Sequence, residues 1–245
     1  MSIPMFKASS PDEAALVQAA SNLGFEFVSR SPNSVDVKEC IDGQTVKRRY
    51  RVLHVLEFNS TRKRMSVVVR DEQGRIIVFC KGADNVVYER LKATGKDSAD
   101  CVIEAETLKH LEDFATVGLR TLCFAYCELD SDFYEQWKEN DFKPASTSVI
   151  DREKKLDTAY AKIEKDFTLV GASAIEDRLQ DQVPETIYMM RQAGISVWML
   201  TGDKQETAIN IGFSCNLIDQ TQELFSLDTD SLEATKERLK ASLLF

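Results

Sequence analysis

At 245 residues, with 43% hydrophobic and 29% charged side chains, the chain has the make-up of a globule with one large core or two modest ones, not that of a disordered tail. Its net charge of −9 argues against a general nucleic-acid binder, whose footprint is broadly basic. The opening MSIPMFK lacks the apolar core of a signal peptide, and no stretch approaches the ~20 apolar residues of a spanning helix, so the polypeptide itself is expected to be soluble.

Ser10-Pro11-Asp12-Glu13 reads as a helix start, with Ser10 as cap, Pro11 in the first turn and Glu13 three residues after the cap. Ala14, Ala15, Leu16, Ala19 and Leu23 continue an apolar stripe that ends near Gly24. Segments 25–28, 34–40, 46–58, 64–70 and 75–80 alternate as strands, and Asp42-Gly43 and Gln73-Gly74 supply turns, so an antiparallel meander is expected. Residues 83–91 and 100–117 read as helices, the second closing at Gly118, and 121–129 as a further strand. Charged amphipathic helices are expected over 131–139 and 150–166, separated by the loop-like Lys143-Pro144-Ala145-Ser146-Thr147-Ser148.

From Phe167 the grammar changes to strand (167–174), helix (182–193), strand (195–200), helix (205–215), the βαβα pattern of a parallel sheet. The expected architecture is an antiparallel α+β domain followed by part of a doubly wound α/β domain. The six cysteines, Cys40, Cys80, Cys101, Cys123, Cys127 and Cys215, have no paired metal-ligand spacing and are expected to be free buried thiols.

Several segments can carry chemistry, and each has a plainer reading. Lys47, Arg48, Arg49, Arg51, Arg62, Lys63 and Arg64 crowd one stretch, which suits either a small anionic ligand or a solvated hairpin face. Phe58-Asn59-Ser60-Thr61-Arg62-Lys63-Arg64 sets an aromatic beside hydroxyls and cations. Phe58 can stack a nucleobase, worth about 1–3 kcal/mol, or it can be a core residue with exposed basic neighbours. Lys81-Gly82 follows a buried strand, so Lys81 can stand over a ligand or simply end the strand. Arg120, after Gly118, can grip phosphate with both arms or hold a carboxylate. Glu13 can close a capping box, contact a ligand, or do both. Thr201-Gly202-Asp203 ends an apolar strand and opens a helix, where α/β sheets bind ligands and where helix N–H groups favour phosphate; an ordinary turn capped by Asp203 is the alternative.

Taken in order, SPDEAALVQAA (10–20), EFNSTRKRMSV (57–67), KGADNVVYERL (81–91), GLRTLCFAY (118–126), GASAIEDRLQDQVPETI (171–187) and VWMLTGDKQETAINIG (197–212) resemble the cytoplasmic head of P-type ATPases, and KGAD with EFNSTRKRMS resembles the phospholipid-transporting (P4, flippase) branch. The resemblance implies an α+β nucleotide-binding domain over 1–170 and a partial haloacid-dehalogenase-like α/β phosphorylation domain over 171–245. It also implies that Glu13, Phe58, Ser60, Lys63, Lys81 and Arg120 hold ATP, with Phe58 on adenine, Lys81 deep in the pocket and Arg120 at the phosphates. Thr201, Gly202 and Asp203 match the loop that receives the γ-phosphate, and Asp177 falls near the interdomain hinge. Implied partners are ATP, the remainder of a parent ATPase with its membrane domain, and an accessory subunit. The implied location is the cytoplasmic side of a membrane.

The family's DKTGT nucleophile, GDGxNDxxM magnesium motif and TGES loop do not occur in the sequence. The chain therefore reads as a fragment that starts after the nucleophile and stops within the phosphorylation domain. It has no catalytic residue of its own, Mg2+ would arrive with ATP, and modest affinity without turnover is expected. Two rivals stand beside this reading: a stand-alone non-catalytic ATP-binding module, and a small haloacid-dehalogenase phosphatase. The second is disfavoured because that chemistry needs an aspartate nucleophile at the end of a strand of the parallel sheet, and neither D-x-D of the chain, Asp130-Ser131-Asp132 or Asp228-Thr229-Asp230, ends a strand of the 167–215 run.

Overall fold

The Ser10 hydroxyl accepts the Glu13 amide at 3.2 Å and so caps α1 (Pro11–Asn22), with Pro11 in the first turn where its missing N–H costs nothing. The structure is a computed structural model that describes residues 10–41, 43–93, 98–176, 179–202, 205–219, 221–227, 229 and 231–242. It forms two compact units, Met1–Asp177 and Arg178–Phe245.

Alternating segments of the first unit become β1 (Phe25–Ser31), β2 (Ser34–Ile41), β3 (Gln44–Leu56), β4 (Arg64–Arg70) and β5 (Ile76–Gly82). Two helices follow, α2 (Asp84–Tyr88) and α3 (Ala99–Thr116), and then β6 (Arg120–Leu129). After α4 (Ser131–Trp137) the helix widens into a π turn (Lys138–Phe142) and continues as α5 (Lys143–Thr147), ahead of α6 (Arg152–Ile163) and β7 (Thr168–Ile175). The seven strands make one sheet in sequence order, each neighbouring pair antiparallel. Its core face carries Leu56, Val68, Val78, Cys80, Cys123, Ala125, Cys127 and Leu169, packed against Val87 of α2, Leu111 of α3, Tyr134 and Trp137 of α4 and Ile163 of α6.

Four expectations are corrected. Segment 168–175 is a strand, but it pairs antiparallel with β6 and completes the first sheet instead of opening a parallel one. Segment 195–200 is no strand: a strand exists only when its N–H and C=O groups find a neighbour, and among the described residues the second unit has none. The second unit holds α7 (Val183–Gln192), α8 (Gln205–Ser214) and α9 (Leu232–Ser242), and Leu200 is 97% exposed. The loop-like 143–148 is largely helix, because Pro144 falls in the first turn of α5, where proline is tolerated. The six cysteines are free, yet Cys40 is exposed and Cys101 only partly covered. Asp42 of the predicted turn lies outside the described residues.

Candidate functional site

The strand register gathers the predicted residues of the first unit at one end of its sheet. Met65, Lys81, Phe124 and Gly171 face one another across four strands. One step further out lie Arg64, Gly82, Cys123 and Ala172, and Arg120 begins β6 three residues beyond. The β3–β4 connection, residues 57–63, closes the same end and carries Phe58, Ser60 and Lys63. Phe58 is 62% exposed, so it is not a core residue. Ser60 and Lys63 are exposed as well.

Close approach explains the glycine after Lys81. A Cβ on Gly82 would lie 2.6 Å from Arg64 Cβ and 2.8 Å from the Lys63 carbonyl oxygen. That carbonyl accepts the Ala83 amide at 3.1 Å, which ties the connection to the end of β5.

The first turn of α1 supplies counter-ions. Consecutive helical side chains point about 100° apart, so neighbouring acids reach different cations: Glu13 pairs with Lys81, and Asp12 Oδ2 accepts from Arg120 Nη1 at 2.9 Å. Carboxylates in a first helical turn are also favoured by the helix dipole. Glu13 thus gives its amide to Ser10 and its carboxylate to Lys81, so the capping box is half made. Two cations and two anions share this end, and each cation is one an incoming phosphate can take from its carboxylate.

The crowd of basic residues separates on folding. Arg48 pairs with Glu39 at 2.6 Å and Arg49 with Asp36 at 2.6 Å. The guanidinium beside Asp36 holds that carboxyl below its usual range. Arg62 and Arg64 are buried on Glu164, whose side chain is fully enclosed. Lys63 alone of the 62–64 trio turns outward.

Glu164 was missed in the sequence, although a signal existed. Tyr160, Ile163, Glu164 and Phe167 follow the i, i+3, i+4, i+7 rhythm, which puts a carboxylate on an apolar stripe.

Thr201 and Gly202 belong to the second unit, exposed on irregular backbone ahead of α8, and Asp203 and Asp177 lie outside the described residues. A cavity of about 480 Å³ opens at the opposite end of β6, between Glu128, Phe133 and Lys165. None of the predicted residues lines it. Among the described residues no group of three or more His, Cys, Asp or Glu side chains is placed to hold a metal ion, and no helix is long and apolar enough to cross a membrane.

A curled antiparallel sheet of seven strands flanked by helices fits a nucleotide-binding domain. Residues 5–182 match the family described as P-type ATPase, cytoplasmic domain N, and the chain belongs to that family. It is 50% identical over 238 residues to the phospholipid-transporting ATPase C887.12 of Schizosaccharomyces pombe, covering 97% of this chain and 18% of that protein. It is 47% identical over 234 residues to the phospholipid-transporting ATPase DRS2 of Saccharomyces cerevisiae, covering 96% of this chain and 17% of that one. With the phospholipid-transporting ATPase DNF1 of Chaetomium thermophilum the identity is 48% over 249 residues, covering 98% and 15%. The chain therefore spans less than a fifth of the length of these relatives.

Proposed function

We propose that the first unit binds ATP across the end of its sheet, and that it does so as the nucleotide-binding part of a phospholipid-transporting P-type ATPase. Phe58 stacks on adenine, with Glu13 and Ser60 beside the nucleoside. Lys81, Arg120 and Lys63 meet the phosphates, which displace the carboxylates of Glu13 and Asp12. The observation that carries this reading is the pairing of Lys81 and Arg120 with consecutive acids of one helical turn, at the sheet end where Phe58 stands exposed.

The second unit then serves as part of an α/β phosphorylation domain, with Thr201, Gly202 and Asp203 in the loop that meets the γ-phosphate. In the intact transporter an aspartate supplied from outside this sequence takes that phosphoryl group, and lipid translocation follows. The accessory subunit and the cytoplasmic face of a membrane come with the same reading. The protein's main tasks in phosphoryl transfer are positioning and charge neutralisation, and this chain supplies the positioning. Mg2+ arriving with ATP would add charge neutralisation at the phosphates, and the described residues add no cluster of their own for it.

Titration of the purified chain with ATP tests the reading, comparing wild type with Phe58→Ala and Lys81→Ala. A dissociation constant on the order of 1 mM, about −4 kcal/mol, is expected for wild type. Loss of stacking worth about 1–3 kcal/mol weakens Phe58→Ala by roughly 5- to 150-fold, and Phe58→Trp retains binding. Unchanged affinity in both alanine variants removes the pocket.

A further inference from the structure

Glu164 has no part in the site as drawn, yet its contacts run straight to it. It occupies the C-cap of α6, between Ile163 and Phe167 of the core, and its amide donates a hydrogen bond to the Tyr160 carbonyl at 3.0 Å. One carboxylate oxygen, Oε2, accepts from Nε of Arg64 at 2.8 Å and lies 2.7 Å from Nη2 of the same guanidinium. The other accepts Nη2 of Arg62 and, at 2.6 Å, the Ser66 hydroxyl. Arg64 and Ser66 belong to β4, so half of this grip is on the sheet.

The other half is on the connection. Arg62 Nη1 reaches the carbonyl of Glu57, the residue before Phe58, at 2.5 Å. The Arg62 amide donates to Asn59 Oδ1 at 2.6 Å, and the Lys63 amide to the Asn59 carbonyl at 2.9 Å. The Arg62 guanidinium thus holds the start of the connection and Asn59 its turn; Asn59 also donates to Asp157 at 3.3 Å, and the guanidinium lies 4.9 Å from the centre of the Tyr160 ring. At the end of the turn Lys63 has φ 49°, a left-handed conformation uncommon for a side chain of its kind. Such a conformation persists where the surroundings over-determine it.

We propose that Glu164 is a positioning residue of the nucleotide site: through Arg62 it fixes the connection that presents Phe58, Ser60 and Lys63. The inference rests on the nucleotide reading of that end of the sheet. A carboxylate is not needed merely to fill this space, since buried ion pairs are often replaced by apolar groups without loss of stability. What an apolar group cannot supply is the reach outward. The Arg62 guanidinium, anchored on Glu164, bonds to the Glu57 carbonyl at the start of the connection, and so holds in place the residue whose own amide bonds to Asn59 in the turn.

Glu164→Gln is the test, read by ATP titration and by amide hydrogen exchange. The variant, where folded by circular dichroism, is expected to bind ATP at least tenfold more weakly. It is also expected to lose protection at the Arg62 and Lys63 amides while Val68 and Val78 in the sheet keep theirs. Because both substitutions act on the placement of Phe58, Glu164→Gln combined with Phe58→Ala weakens binding by less than the product of the two single effects. A folded Glu164→Gln with wild-type affinity, effects that multiply, or unaltered exchange at Arg62 and Lys63 overturns the proposal. Should Glu164→Gln not fold, Arg62→Lys keeps a cation on Glu164 and drops the bond to Glu57, with the same outcomes on either side. If instead wild type fails to bind ATP, or Phe58→Ala binds as wild type does, the nucleotide reading fails. The exchange experiment, which needs no nucleotide, then decides the loop-positioning claim by itself.

Discussion

His54 shows how one half-buried side chain can set a pH window. Its ring packs against Trp137 at 5.3 Å and Phe142 at 4.4 Å, and Nε2 lies 3.0 Å from the Tyr134 hydroxyl. Burial pushes its pKa below 6.5, Lys138 adds to the shift, and Glu135 opposes it. The folded protein therefore keeps His54 neutral where the unfolded chain already binds a proton. Stability is fully present above about pH 6.5 and falls as the pH drops from there to the folded pKa. Urea midpoints measured between pH 7.5 and 5.5 should decline in wild type and stay nearly level in His54→Phe. The shifted carboxyls of Asp36, Asp71 and Glu135, all lowered, titrate in a more acid range and do not mask this window.

Asp12 makes a second test, of opposite sign to the alanine variants. It holds Arg120 in a half-exposed ion pair, and such pairs are worth about 0.2–1 kcal/mol. Asp12→Asn removes the competitor for phosphate, so ATP should bind up to about fivefold more tightly. Weaker binding in Asp12→Asn would show that the acid does more than occupy the arginine.

Among the elements, local rules read best where local rules decide. The Ser10 cap and the alternating strands through β6 were legible because capping and two-residue periodicity are written in neighbouring residues. The strand character of 168–175 was legible too, but not its partner, because which edge a strand joins depends on the rest of the sheet. Residues 195–200 carry strand periodicity with no strand beside them among the described residues, so pattern alone misled. Phe58, Lys81 and Arg120 stood out by residue type, whereas Glu164 was hidden because acids are presumed to face water. Deleting it should be costly: breaking one side of a buried pair leaves guanidinium uncompensated, for about 3–5 kcal/mol. Glu164→Ala is expected to lower the urea midpoint far more than Glu13→Ala does. Equal shifts would mean that Arg62 and Arg64 find water or another acid.

At the level of the whole chain, the two tryptophans report on different units. Trp137 is 2% exposed, its indole N–H bonded to the Ala159 carbonyl at 2.8 Å in the first unit, whereas Trp198 is 81% exposed in the second. Trp198→Phe therefore leaves a single, blue-shifted emitter that follows the core of the first unit. ATP bound only to the folded first unit raises its stability by RT ln(1 + [L]/Kd). For a dissociation constant near 1 mM and 10 mM nucleotide this is about 1.4 kcal/mol. A domain of this size gains about 2–4 °C per kcal/mol, so the Trp137 transition should rise by roughly 3–6 °C. The same rise should fall to less than half in Trp198→Phe combined with Phe58→Ala. If nucleotide moves the Trp137 transition equally with and without Phe58, ATP acts elsewhere on the unit, and the sheet end that unites Lys81, Arg120 and Phe58 is not where it binds.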